Sequence, residues 1–141
     1  MPEFESIRIY LDANVLFSAS YSEQNRFLQF WQLIGVKPVT SPYAIAEVRG
    51  HLVRPGHSDR FDNLLNETDL VSDADLRIIP PSVVMVEKDR PILAAAIHAS
   101  IDYLVTGDRN HFGHLYNTTI SFVYVMSPPE FLNQFAGRLI G

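Results

Sequence analysis

A three-layer α/β fold, with a mostly parallel sheet of about five strands and helices on both faces, is the expectation from three observations. Short runs rich in apolar and β-branched residues alternate with helical segments along the chain. The helix starts between them are marked by hydroxyl–proline pairs or by aspartate. The strand-like runs are nearly continuous in apolar residues, as expected of strands covered on both faces. At 141 residues the chain is expected to form one domain with a proper core.

The first strand is Ile7 to Leu11. Helical signals follow, with a stripe at Phe27, Phe30, Trp31 and Ile34 at i, i+3, i+4, i+7 spacing, ended by Gly35. The stripe is expected to face the core, and any excess over what one helix buries would make a surface for a homodimer. Val36 to Thr40 is the second strand. Ser41-Pro42 then places a hydroxyl N-cap before proline at the first helical position. That helix is expected to reach about Val53, before Pro55-Gly56. A further helix is expected over about 59–70, and Val83 to Val86 as the third strand. Asp89 can cap a helix from Arg90 to about Ser100, with Pro91 in its first turn. Asp102-Tyr103 leads into a fourth strand through Thr106, and Ile120 to Met126 is the fifth. Ser127-Pro128-Pro129-Glu130 has capping-box spacing and starts the last helix.

Composition limits the function classes. The absence of cysteine excludes disulfides and thiolate zinc sites, and fits a reducing cytosol. The opening Met1-Pro2-Glu3-Phe4-Glu5 is acidic rather than a basic-then-apolar leader, and no apolar run approaches bilayer length. A cytoplasmic protein without a membrane partner is therefore expected. The net charge of −5 argues against loose binding to nucleic acid, an objection that bound divalent ions would largely remove.

Four acidic residues stand against apolar sequence: Asp12, Glu47, Asp89 and Asp108. A carboxylate there is costly unless something compensates it. Asp12 and Asp108 directly follow strand-like runs, and in open α/β sheets ligands bind at strand ends. Gathered carboxylates repel one another, and oxygen ligands favour hard ions such as Mg²⁺ or Mn²⁺. Such ions support phosphodiester hydrolysis. Asn14, two residues after Asp12, and Thr106, two before Asp108, could orient a carboxylate or a water. Each acid also has a structural reading: Asp12 and Asp89 as N-caps, Asp108 as a turn residue, Glu47 as a solvated helix position. Arg49, Arg90, Arg109 and His111 are candidate phosphate contacts. Glu87 is the rival of Asp89. Asp102 precedes its strand and is expected at the opposite end of the sheet. His51, His57, His98 and His114 share no ligand spacing and read as structural or surface groups.

The segments Leu11-Asp12-Ala13-Asn14-Val15-Leu16, Ser41-Pro42-Tyr43-Ala44-Ile45-Ala46-Glu47, Asp89-Arg90-Pro91-Ile92-Leu93-Ala94-Ala95-Ala96 and Tyr103-Leu104-Val105-Thr106-Gly107-Asp108-Arg109 together resemble the four acidic blocks of the PIN domain. The resemblance spans about Ile7 to Val125, and its first and last blocks are the most specific. It implies a Rossmann-like sheet with the first and fourth strands adjacent, so that Asp12 and Asp108 meet where strand order reverses. It also implies a Mg²⁺- or Mn²⁺-dependent endoribonuclease with Asp12, Glu47, Asp89 and Asp108 as ligands. Single-domain members of the VapC-like group are often toxins, which implies a small antitoxin protein as partner beside the RNA substrate. Two other function classes compete. A haloacid-dehalogenase-type phosphotransferase also places aspartate after the first strand, but it wants a second carboxylate where this chain has Asn14. A non-catalytic RNA- or protein-binding module would have no need of four intact acids.

Overall fold

The computed structural model describes residues 6–139, so the acidic opening segment 1–5 lies outside the described residues. Six strands form one sheet in the order β3-β2-β1-β4-β6-β5. They are β1 (Ile7–Leu11), β2 (Val36–Thr40), β3 (Asp69–Leu70), β4 (Tyr103–Val105), β5 (Thr119–Ile120) and β6 (Val123–Met126). Every pairing is parallel except β5 with β6. The helices are α1 (Ala13–Ser20), α2 (Pro42–Arg49), α3 (His57–Leu65), α4 (Arg90–His98), α5 (Arg109–Phe112) and α6 (Pro128–Gln134). The crossings β1 to β2 and β2 to β3 run one way across the sheet, and β3 to β4 runs back. Right-handed crossovers of opposite direction put α1 to α3 on one face and α4 on the other. No helix among the described residues is long and apolar enough to cross a membrane.

The centre of the sheet is dry. Ile9, Tyr10 and Leu11 of β1 and Leu104 and Val105 of β4 have no solvent exposure, and Ile92 to Ala96 of α4 are equally buried. Phe131 of α6 packs edge-on to Tyr103 and against Phe30. Strand order reverses between β1 and β4, whose last residues, Leu11 and Val105, are in register.

Several expected elements are corrected. The third strand is not Val83 to Val86. That stretch is irregular, and its carbonyls are met by side chains, Val83 by Arg90 and Val84 by His114. The sheet edge is taken instead by Asp69–Leu70, because Thr68 Oγ1 donates to the Leu64 carbonyl and closes α3 early. The helix from Pro42 stops at Arg49 rather than near Val53, with Gly50 at its end. Ser41 does not cap it, since its Oγ pairs with the buried Tyr10 hydroxyl. Nor does Asp89 cap α4 through its side chain. The aromatic stripe lies on a 3₁₀ segment, Arg26–Trp31, in which residues three apart eclipse. Phe30 is buried, Trp31 Nε1 donates to Thr68, and Ile34 is exposed. Gly35, with φ 75°, turns the chain into β2.

The fifth strand divides into a hairpin. Ser121 and Phe122 have φ of 47° and 71°, the two positive values of a type I′ turn. A bulky residue is strained there, and Phe122, with 94% of its surface in water, has almost no burial to offset that. Replacing Ser121-Phe122 by Asn-Gly should therefore stabilise the fold by about 1 kcal/mol, a rise of about 3 °C in the melting midpoint. A lower midpoint would show that Phe122 contributes packing that the turn geometry does not reveal.

Candidate metal centre

The carboxyl end of β1 delivers Asp12, whose backbone N–H continues the ladder to the Val105 carbonyl. Its side chain is buried and serves two purposes at once. Oδ1 accepts from the Ala13 N–H at 2.7 Å, capping α1, and Oδ2 accepts from Thr106 Oγ1 at 2.8 Å and Asn14 Nδ2 at 3.2 Å. The N-cap and site readings are thus compatible. Burial pushes the Asp12 carboxyl up to about 6, against the lowering effect of the Thr106 and Ala13 bonds, and Glu47 and Asp89 add repulsion.

Asn14 and Thr106 tie the ends of the two central strands together. Asn14 Oδ1 accepts from the Gly107 N–H at 2.7 Å, and Thr106 Oγ1 accepts from the Asp108 N–H at 3.2 Å. Gly107 permits this approach, since a Cβ there would lie 3.1 Å from Asn14 Oδ1. Asp108 then caps α5 through Oδ1, which accepts from the His111 N–H at 3.1 Å.

Glu47 projects from α2 at half-exposed depth. Its carboxyl is held above the ordinary range by desolvation first and by Asp89 second. Asp89 ends a 3₁₀ turn, Glu87–Asp89, and is buried. Asp12, Glu47, Asp89 and Asp108 all line one cleft of about 600 Å³, with Asn14, Phe17, Val48 and Val53 supplying further wall and Lys88 and His51 at its rim. The four sequence-derived acids are therefore brought together on one cleft.

Other candidates are placed elsewhere. Arg49 pairs with Asp62 at 2.7 Å and lies over the Phe61 ring, and Arg90 is committed to Glu87 and the Val83 carbonyl. Arg109 stacks over Tyr116. None of these three lines the cleft. Glu87, the rival of Asp89, is a surface group with its side chain 85% exposed. Asp102 accepts from the Arg8 N–H at the opposite end of the sheet. His57 is wholly buried against Ser20, and His98 is exposed.

His111, a candidate phosphate contact, stands closer to the acids than the sequence reading anticipates: its Nδ1 lies 2.6 Å from Asp89 Oδ2 and 2.9 Å from Asp108 Oδ2. The signal was available, because residues three apart in a helical turn share a face. Asp89 Oδ2 and His111 Nδ1 are buried without a hydrogen-bond partner, so neither close contact is aligned as a hydrogen bond. Asp89, Asp108 and His111 each offer a ligand atom within 4.8 Å of the others. Orphaned donors of this chemistry fit a divalent metal ion.

A PIN domain family model matches residues 8–110, a span that contains all four acids. The chain belongs to the PIN domain family. Among solved structures it is similar to VapBC2 from Rickettsia felis, bound to a DNA fragment from their promoter. That likeness has a TM-score of 0.62 at 14% identity and covers 86% of this chain and 98% of the other. At that identity it speaks to the fold, whose central β1–β4 pair is the one implied by the sequence resemblance. No curated protein matches the sequence.

Proposed function

We propose that this PIN domain is a cytoplasmic, metal-dependent endoribonuclease that hydrolyses RNA phosphodiester bonds, and that it is the toxin of a toxin–antitoxin pair with a small antitoxin protein as partner. The observation that supports it most is the meeting of Asp12, Glu47, Asp89 and Asp108 on one cleft, from four separate segments of a chain whose family consists generally of nucleases. The structural likeness to VapBC2 supports the toxin assignment.

Asp12, Glu47, Asp89 and Asp108 would hold the divalent ion in this cleft. Mg²⁺ or Mn²⁺ there would supply Lewis acidity toward the phosphodiester and toward water. The protein's own part is positioning. Thr106 and Asn14 fix Oδ2 of the Asp12 carboxylate and the Ala13 N–H fixes Oδ1, so the group is held in one orientation at the cleft. The Asn14–Gly107 bond clamps β1 to β4, so Asp12 and Asp108 keep their separation when charge enters the cleft. Phe17, Val48 and Val53 give the cleft an apolar flank, which strengthens electrostatics inside it. Lys88 at the rim offers a cation to the RNA backbone.

Incubating the purified protein with a mixed RNA pool tests this reading. Internal cleavage is expected with millimolar Mn²⁺ or Mg²⁺ and none with excess chelator. Intact RNA under all conditions, with the fold verified, would favour a non-catalytic module. Cleavage that persists in chelator would belong to a contaminant or to chemistry outside this cleft.

A further inference from the structure

We propose that His111 is a metal ligand through Nδ1, and that the resulting nitrogen-containing donor set selects Mn²⁺ and its first-row neighbours over Mg²⁺. The inference rests on the nuclease reading only in taking the cleft to be a metal centre.

The placement of the ring carries the argument. Its Nδ1 stands 2.6 Å from Asp89 Oδ2 and 2.9 Å from Asp108 Oδ2. Neighbouring donors on one ion, with bonds of about 2.1 Å at right angles, stand about 3 Å apart. The ring nitrogen's two separations are therefore within about 0.4 Å of that spacing, and all three donor atoms lie within 4.8 Å of one another. Were the imidazole only a hydrogen-bond donor to a carboxylate, its ring N–H would be aimed at one oxygen. Neither contact is so aligned, and Asp89 Oδ2 accepts no hydrogen bond although its side chain is only 9% exposed. A buried carboxylate oxygen left in that state is costly unless something else meets it.

The ring is also held in place from behind. The His111 backbone N–H donates to Asp108 Oδ1, and the Asp108 N–H donates to the buried Thr106 hydroxyl. The first turn of α5 thus sets the imidazole beside Asp108 Oδ2, on the same side as Asp89. Carboxylates alone suit Mg²⁺ and Mn²⁺ alike, whereas imidazole suits transition metals and is a poor ligand for Mg²⁺.

Pulsed electron paramagnetic resonance of the Mn²⁺-loaded full chain reads ligation directly, without reference to turnover. Wild type should show ¹⁴N hyperfine modulation from a bound imidazole. His111→Gln should lose it, while His51→Gln, at a histidine that lines the cleft beside the acids, should keep it. Titration calorimetry should show His111→Gln weakening Mn²⁺ by at least about tenfold, since removing even a partner behind a ligand costs 10- to 100-fold. Mg²⁺ affinity should move by less than about threefold. Mn²⁺ binding without ¹⁴N modulation in wild type overturns the proposal and leaves the nuclease reading intact. Modulation that survives in His111→Gln also overturns it. Failure of wild type to bind Mn²⁺ removes both. Modulation that disappears in His111→Gln, in a protein that cleaves no RNA, supports the ligand assignment and removes the nuclease reading instead.

Discussion

Asp108→Asn should lower metal-dependent RNA cleavage by at least about a hundredfold while leaving the fold intact. The magnitude follows from removing a ligand charge, because losing even a supporting group behind a ligand costs 10- to 100-fold. The fold should survive because asparagine caps a helix about as well as aspartate, so the bond from the His111 N–H to Oδ1 is retained. Asp102→Asn is the matched control. It is the same substitution six positions earlier, before β4 rather than after it, where the side chain accepts from the Arg8 N–H. An asparagine oxygen can accept that bond, so cleavage should remain near wild type. Single-turnover rates at saturating Mn²⁺ compare the two. Loss of cleavage in Asp102→Asn with retention in Asp108→Asn would move the centre to the other end of the sheet. Equal activity in both would mean that the cleavage measured does not come from this cleft.

The legible parts of the molecule were those in which local pattern and tertiary context agree. The largely apolar runs of β1 and β2 read as strands because they are buried on both faces, and their bounds, Ile7–Leu11 and Val36–Thr40, match the sequence. The acids at the ends of β1 and β4 were legible for a related reason, since a carboxylate directly after such a run lies at the rim of the sheet. Val83 to Val86 misled because β-branched composition reports fit to a pleated surface, and here no neighbouring strand offers one. Asp69–Leu70 has no strand signal of its own; it is recruited by the open edge of β2. Ser41 misled because a hydroxyl before proline serves a cap or any nearby donor equally well. The choice was made by Tyr10, which no local window around Ser41 contains. His111 shows the same limit in the site. Its distance to Asp108 is a matter of helical spacing, but its distance to Asp89 depends on how α4 and α5 meet over β4.

Metal-free protein should lose stability as pH rises through the range in which Asp12 ionises, and Mn²⁺ should restore it. The sign follows from linkage. The Asp12 carboxyl lies at about 6 in the folded protein against an ordinary value of 3.8. The folded state then binds the proton more tightly than the unfolded chain, so ionisation favours unfolding. The penalty is absent below 3.8, grows between about 4 and 6, and is complete above 6, where it reaches about 3 kcal/mol. Other carboxylates titrate over the same interval, so the quantity to measure is the difference between wild type and Asp12→Asn. Urea denaturation in chelator at pH 4.5 and 7 should show wild type falling relative to the variant as pH rises. The variant keeps the bond from the Ala13 N–H through its amide oxygen but puts an NH₂ where Oδ2 accepts from Thr106 and Asn14, at about 1 kcal/mol; that cost is independent of pH and leaves the slope unaffected. Above pH 6 the ion takes the place of the proton as the compensating positive charge. Mn²⁺ at a hundred times its dissociation constant should then raise wild-type stability by about 2.7 kcal/mol by mass action. The same addition should do little for Asp12→Asn if Asp12 is a ligand. Parallel pH profiles for the two proteins would show that Asp12 is not the group that stores the repulsion. Equal stabilisation of both by Mn²⁺ would place the ion on Asp89 and Asp108 without Asp12.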